Sequence, residues 1–166
     1  MNIFIRNCCL ICLTLIVGCS SAQQAGNQYA FKEVGWSMTL PPQFSVIDSA
    51  KTAALNQRGQ KLIEESNDIK ADFSGTRTLI TAMKGNNYFN STITPFGPKD
   101  GDYNTSCKKV KDLIFNTFVD KIPNAKIDSS STSATVGGLE FDKFHIVITM
   151  QDKVLFNMFL LSKLYK

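Results

Sequence analysis

Residues 137–161 read GGLEFDKFHIVITMQDKVLFNMFLL, and the fold is decided by how this stretch is divided. Phe144, Ile146, Ile148 and Met150 alternate with Lys143, His145, Val147 and Thr149, the period-two pattern of a strand with one apolar face. Gly137-Gly138 precedes that strand, and paired glycines favour a two-residue hairpin because both central positions of its turn take positive φ. Gln151-Asp152 predicts the next turn, and VLFNMFLL at 154–161 is apolar almost throughout. A strand without alternation is normally covered on both faces, which predicts helices on both sides of this sheet. Upstream, the serine- and threonine-rich stretch near 125–136 completes a meander of three antiparallel strands.

Before the meander, Cys107, Val110, Ile114 and Phe118 recur at spacings of three and four, placing them on one face of a helix over about 104–121. Pro123 follows as its stop signal. TRTLITA at 76–82 and the stretch 88–95 read as a hairpin about a turn at 84–87 that contains Gly85. A second helix runs from a cap at Asp48 or Ser49 to about residue 67, with Leu55, Leu62 and Ile63 on its apolar side. Gly59 lowers its helix propensity and would allow close packing on a sheet. Nearest the start, Tyr29-Ala30-Phe31 and Trp36-Ser37-Met38-Thr39-Leu40 alternate about Gly35, and Pro41-Pro42 ends that element because proline cannot donate to a ladder. The order of elements gives an α+β fold, an antiparallel sheet flanked by helices, in one domain over residues 29–166. With 43% hydrophobic and 19% charged residues, a packed core is expected and disorder is not.

The first 18 residues have a different character. Arg6 is the only charged side chain before residue 19, and 8–17 are apolar apart from Thr14. An apolar run of that length suits a signal peptide and is too short for the roughly 20 residues of a spanning helix. Ile16-Val17-Gly18-Cys19 resembles the lipobox of a bacterial lipoprotein. That resemblance implies cleavage after Gly18, attachment of diacylglycerol to the Cys19 thiol, and acylation of the new amino terminus by a chain such as palmitate. Several acyl chains anchor stably where one does not, so the bilayer becomes the first expected partner. The alternative is an ordinary secretory peptide cut near Ser20 to Ala22; Cys19 directly after Gly18 and two aliphatic residues favours the lipobox. Ser20, not an acidic residue, follows the cysteine, which in the enteric sorting pattern points to the outer membrane. Residues 19–28, CSSAQQAGNQ, are small and polar and read as a flexible tether.

Removing the signal peptide changes the charge and cysteine counts. Net charge falls from +4 to +3 with the loss of Arg6. The densest basic cluster, Lys108, Lys109 and Lys111, lies on the predicted helix beside Asp112 without interleaved aromatics. It reads as a solvated helix face, and no nucleic-acid partner is expected. Of the five cysteines, Cys8, Cys9 and Cys12 leave with the peptide and Cys19 is committed to lipid, so Cys107 remains alone. A disulfide within the mature domain and a cysteine-based metal site are both excluded.

The opening aromatic strand, GWSMTLPPQF, the two helices and the GGLEFDKF hairpin into an apolar strand ending LLSKLYK resemble the PsbP-like superfamily, in particular its DcrB-like bacterial lipoproteins. The resemblance covers residues 29–166 and rests on pattern. It implies an antiparallel sheet flanked by helices, no shared catalytic residues, and binding, assembly or chaperone-like roles. Where the family pattern continues into a further strand and a terminal helix, this sequence stops at Lys166. The resemblance then implies either a shortened fold or a truncated product, with the surface of 156–161 or a sheet edge left uncovered.

No motif for catalysis or for a cofactor stands out. His145 is the only histidine, so a multi-histidine metal site is excluded, and a structural place in its strand is expected. Cys107 could pair with it as nucleophile and base, but its spacing puts the thiol among core residues. Glu64-Glu65 fits a solvated helix end, and Asp100-Asp102 in GPKDGDYN lacks the regular oxygen spacing and closing glutamate of a calcium loop. No metal is expected. Trp36, Tyr88, Phe89, Phe96 and Tyr103 lie in or beside turns, where aromatics anchor partners when they are not filling the core. The expectation is a non-enzymatic module, lipid-anchored in the envelope, that binds an unidentified protein or small ligand. The alternative is an envelope hydrolase whose site is assembled from residues that form no motif.

Overall fold

The computed structural model describes residues 28–165. Gly18, Cys19 and the tether through residue 27 lie outside them; Gln28, expected as the last tether residue, is the first residue of a strand.

The described residues form eight strands and two long helices. β1 (Gln28–Phe31) and β2 (Trp36–Thr39) pair as an antiparallel hairpin whose turn needs Gly35 at φ 59°. β3 (Ser45–Val46), β4 (Arg77–Lys84) and β5 (Asn87–Ile93) form a second antiparallel sheet in that order, with a bulge at Leu79. β6 (Lys126–Val136), β7 (Leu139–Met150) and β8 (Lys153–Ser162) form the third. Gly137, Gly138, Gln151 and Asp152 all take positive φ at its two hairpins, the backbone that two-residue turns between twisted strands require. The α+β class and the antiparallel meander are as the sequence predicts.

α1 (Ser49–Asn67) starts where Asp48 Oδ1 accepts from the Lys51 amide at 2.8 Å. α2 (Tyr103–Lys121) starts where Asp102 Oδ2 accepts from the Thr105 amide at 2.8 Å. Both caps satisfy an amide that the helix itself leaves without a partner. The helices pack on each other through polar contacts: Ser66 Oγ donates to Asp120 Oδ2 at 2.9 Å and Asn67 Nδ2 to Thr117 Oγ1 at 3.0 Å.

Two separate apolar clusters result. Leu40, Ile80 and Ala82 are buried with Tyr29, Phe31, Trp36, Met38, Phe44 and Phe89 around them. Phe144, Ile146 and Ile148 are buried beneath Ile114, Phe115, Phe118 and Ile122 of the α2 segment. Glu33 of the first hairpin accepts from Arg77 of β4 at 2.7 Å, tying hairpin to sheet.

Four expectations are corrected. Only one face of the β6–β8 sheet carries a helix among the described residues, so the largely apolar β8 leaves Val154, Leu155 and Phe159 more than half exposed. Val110 is 47% exposed because it sits at the margin of the inward face of α2, and Lys111 points inward in its stead. Leu62 is likewise exposed on α1. Gly59 serves no close approach: a Cβ there would meet only open space.

Candidate functional site

The β6–β8 sheet positions two groups of polar and aromatic side chains, one on each face, by simple alternation. Asp142, Phe144, Ile146 and Ile148 of β7 share the helix-covered face with their register partners Ser162, Leu160, Met158 and Phe156 of β8. Lys143, His145, Val147 and Thr149 share the other face with Leu161, Phe159, Asn157 and Val154.

On the covered side, Tyr103, Cys107 and Lys111 recur every four residues along α2 and face Ser162 and Asp142. Lys111 Nζ donates to Asp142 Oδ2 at 2.6 Å and lies 5.9 Å from the centre of the Phe144 ring. The lysine side chain is only 15% exposed, so this is a charge-assisted bond in a partly dry setting. Lys108 donates to Asp112 one turn away at 2.7 Å. Of the cluster expected to be a uniformly solvated face, Lys111 is therefore an inward, paired member. A cleft of about 530 Å³ opens beside these pairs, lined also by Asn104, Ser129 and Ser131. With each lysine facing an aspartate, it is close to neutral.

Cys107 is half-buried, with its Sγ 3.8 Å from Ser162 Oγ. It lies in this polar seam, not deep among apolar residues as its spacing suggested. The Tyr103 hydroxyl is buried with no partner at hydrogen-bond distance. Burial, followed by the adjoining Cys107 thiol, pushes its pKa up to about 12, so the phenol stays protonated and neutral near neutral pH.

On the open side, His145 Nε2 is 2.8 Å from Asn157 Oδ1, and its ring stacks on Phe159 at 4.3 Å between centroids. Lys143 Nζ lies 4.5 Å over the same Phe159 ring, a cation–π contact. Val154 and Leu161 are exposed on the same face, at 62% and 41%, and the bulged Leu155 is exposed at 54%. Cys107 and His145 are not brought together: the thiol faces Ser162 on the helix-covered side and the imidazole lies across the sheet. Comparisons with protein-family models, with curated proteins and with solved structures find no match to this chain.

The five aromatics singled out from the sequence are distributed over the molecule. Trp36 stacks on Phe31 at 5.3 Å, and both Trp36 and Phe89 pack into the first apolar cluster, so neither is a free anchor. Tyr88 is 47% exposed on β5. Phe96 meets Tyr103 edge-to-face at 5.6 Å at the start of α2. The acidic pairs are engaged within the fold. Asp100 Oδ2 accepts from the Gly97 amide at 2.6 Å, and Glu64 Oε1 accepts from Gln60 Nε2 and the Ala71 amide, both at 3.0 Å. These bonds favour the charged Glu64 carboxylate and hold its pKa below the usual range. Among the described residues, no three His, Cys, Asp or Glu side chains are grouped so as to hold a metal ion. Sequence reasoning passed over Asp142, Phe159 and Ser162 and read Lys111 as solvated; the four-residue step from Tyr103 through Cys107 to Lys111 was the available signal for its inward place.

Proposed function

We propose that this chain is a bacterial envelope lipoprotein: cleaved after Gly18, acylated on Cys19, and held at the outer membrane through the tether of residues 19–28. Its folded part is a non-enzymatic binding or assembly module of the PsbP-like, DcrB-like kind. The observation that carries the binding role is the open face of the β6–β8 sheet, where Lys143, His145 and Asn157 frame Phe159 beside the exposed Val154, Leu155 and Leu161. Contiguous exposed apolar surface with polar groups at its rim is the signature of an interaction site. Such a face, wide and shallow, favours a protein partner over a small ligand.

Two experiments test the two parts separately. Metabolic labelling with a fatty acid should mark the wild type and leave Cys19→Ala unlabelled; label retained in the variant would overturn the anchor. Cross-linking in intact cells should trap a defined partner with the wild type and lose it with Lys143→Glu. An identical pattern for the two proteins would overturn the open face as the binding site.

A further inference from the structure

We propose that the cleft between α2 and the β6–β7 strands is a second binding site, one that takes a neutral polyhydroxylated ligand, a saccharide of one or two rings. It lies across the sheet from the open face, and it depends neither on the binding role of that face nor on the lipid anchor.

An antiparallel strand in a sheet covered on one side normally alternates, apolar inward and polar outward. β6 does not: from Asp128 to Ser133 it is polar on both faces. Ser129 and Ser131 are the register partners of the buried Ile146 and Phe144, so they stand on the helix-covered side of the sheet, yet both are exposed. Short hydroxyl side chains there leave a trough where longer apolar ones would have met α2. Its other wall is α2 itself, where Asn104, Lys108, Lys111 and Asp112 follow at helical spacing and share one side of the helix. Phe144 and Asp142 of β7 form the floor. The cleft measures about 530 Å³, within the range of about 300–1,000 Å³ typical of small-ligand sites.

The charges select the ligand. Lys111 is bonded to Asp142 at 2.6 Å and Lys108 to Asp112 at 2.7 Å. An anion would have to take an ammonium from its aspartate, and a cation an aspartate from its lysine; either exchange strands the partner charge. Hydroxyl groups need no such exchange. Each ion pair uses Oδ2 of its aspartate and leaves Oδ1 to accept from a ligand, and an ammonium carries three N–H donors, so each lysine has donors to spare. Vicinal hydroxyls match such a pair, since one accepts from Nζ while its neighbour donates to Oδ1. Both bonds are charge-assisted, and neither ion pair is broken. The serine hydroxyls and the Asn104 amide both donate and accept, which suits the remaining hydroxyls of a sugar ring.

The test is amide NMR of the full chain in a polyoxyethylene detergent, which brings no sugar. The probes are glucose, N-acetylglucosamine and maltose at millimolar concentration, with inorganic phosphate and glycine as charged alternatives. At least one saccharide should shift the amides of Asn104, Lys108, Ser129 and Ser131 saturably, and phosphate and glycine should not. Asp112→Ala should weaken that binding by about tenfold, the worth of a charge-assisted hydrogen bond, and Ser131→Ala by about threefold. Lys109→Ala, outside the cleft, should leave it unchanged. Asp112 and Ser131 are exposed, and the amide spectrum of each variant reports whether it is folded. No saccharide response at these residues would overturn the proposal. Phosphate or glycine shifting them as strongly would overturn it in favour of an ion site. Saccharide binding that Asp112→Ala and Ser131→Ala leave intact would overturn it by placing the site elsewhere.

Discussion

Replacing Ile146 by alanine tests the division of β7 into a covered and an open face. Ile146 is 0% exposed, flanked in register by Ser129 and Met158 and roofed by the α2 residues over the second apolar cluster. The lost carbons are worth about 0.8 kcal/mol each, about 2.4 kcal/mol in transfer alone. A cavity that the packed sheet cannot close raises the total to about 3–4 kcal/mol. Its neighbour Val147 points to the open face and is only half-buried, so Val147→Ala should cost about 0.5–1 kcal/mol. Equilibrium unfolding in urea, with a slope of about 2 kcal/mol/M, turns these into midpoint shifts of about 1.5–2 M and at most about 0.5 M. Should Ile146→Ala unfold the chain outright, Ile146→Val at about 1 kcal/mol keeps the comparison measurable. Equal shifts at 146 and 147 would refute the reasoning, because they would mean that both faces are covered alike.

Gly59→Ala should stabilise the protein by about 0.5–1 kcal/mol in the same assay, since it improves helix propensity where a Cβ meets nothing. Asp142→Ala should cost about 1–3 kcal/mol by leaving the Lys111 ammonium unpaired, and Lys111→Met in the same chain should recover most of the loss; a purely additive double variant would show that the pair is uncoupled. The Asp102 pKa is lowered chiefly by the Thr105 amide, so its contribution is full above the ordinary aspartate range and is lost as pH falls through the folded value. Thermal unfolding should therefore fall in temperature on acidification, and Asp102→Asn, which keeps an accepting oxygen but cannot titrate there, should flatten that fall.

Local chemistry made most of the elements legible. Asp48 marks the start of α1, and the Gly137-Gly138 and Gln151-Asp152 turns set off β7 and β8, whereas the cap at Asp102 was not read as one. What a helix face buries was less legible. Val110 and Lys111 are adjacent, and which of them turns inward depends on Asp142, thirty-one residues away, offering a carboxylate. The same limit applies to β8. Its apolar run suggested cover on both sides, whereas a single helix lies over the sheet among the described residues. The candidate site was the least legible, because Lys143, His145, Asn157 and Phe159 meet only once the β7–β8 register aligns them. Of the aromatics in or beside turns, Trp36 and Phe89 fill the core, the other role that their positions allowed.

The separation of the apolar residues into two clusters bears on how the protein opens. One cluster draws only on residues 29–89 and the other only on residues 114–160. Where the two halves meet along α1 and α2, side-chain hydrogen bonds such as Ser66 to Asp120 and Asn67 to Thr117 join them. Water can replace bonds of that kind at little net cost. Each half is also contiguous in sequence, so neither needs the other to close its own strand pairings. Amide exchange should then resolve two units, the β6–β8 half opening apart from the β3–β5 half, with the inter-helix seam as the line along which cooperativity breaks.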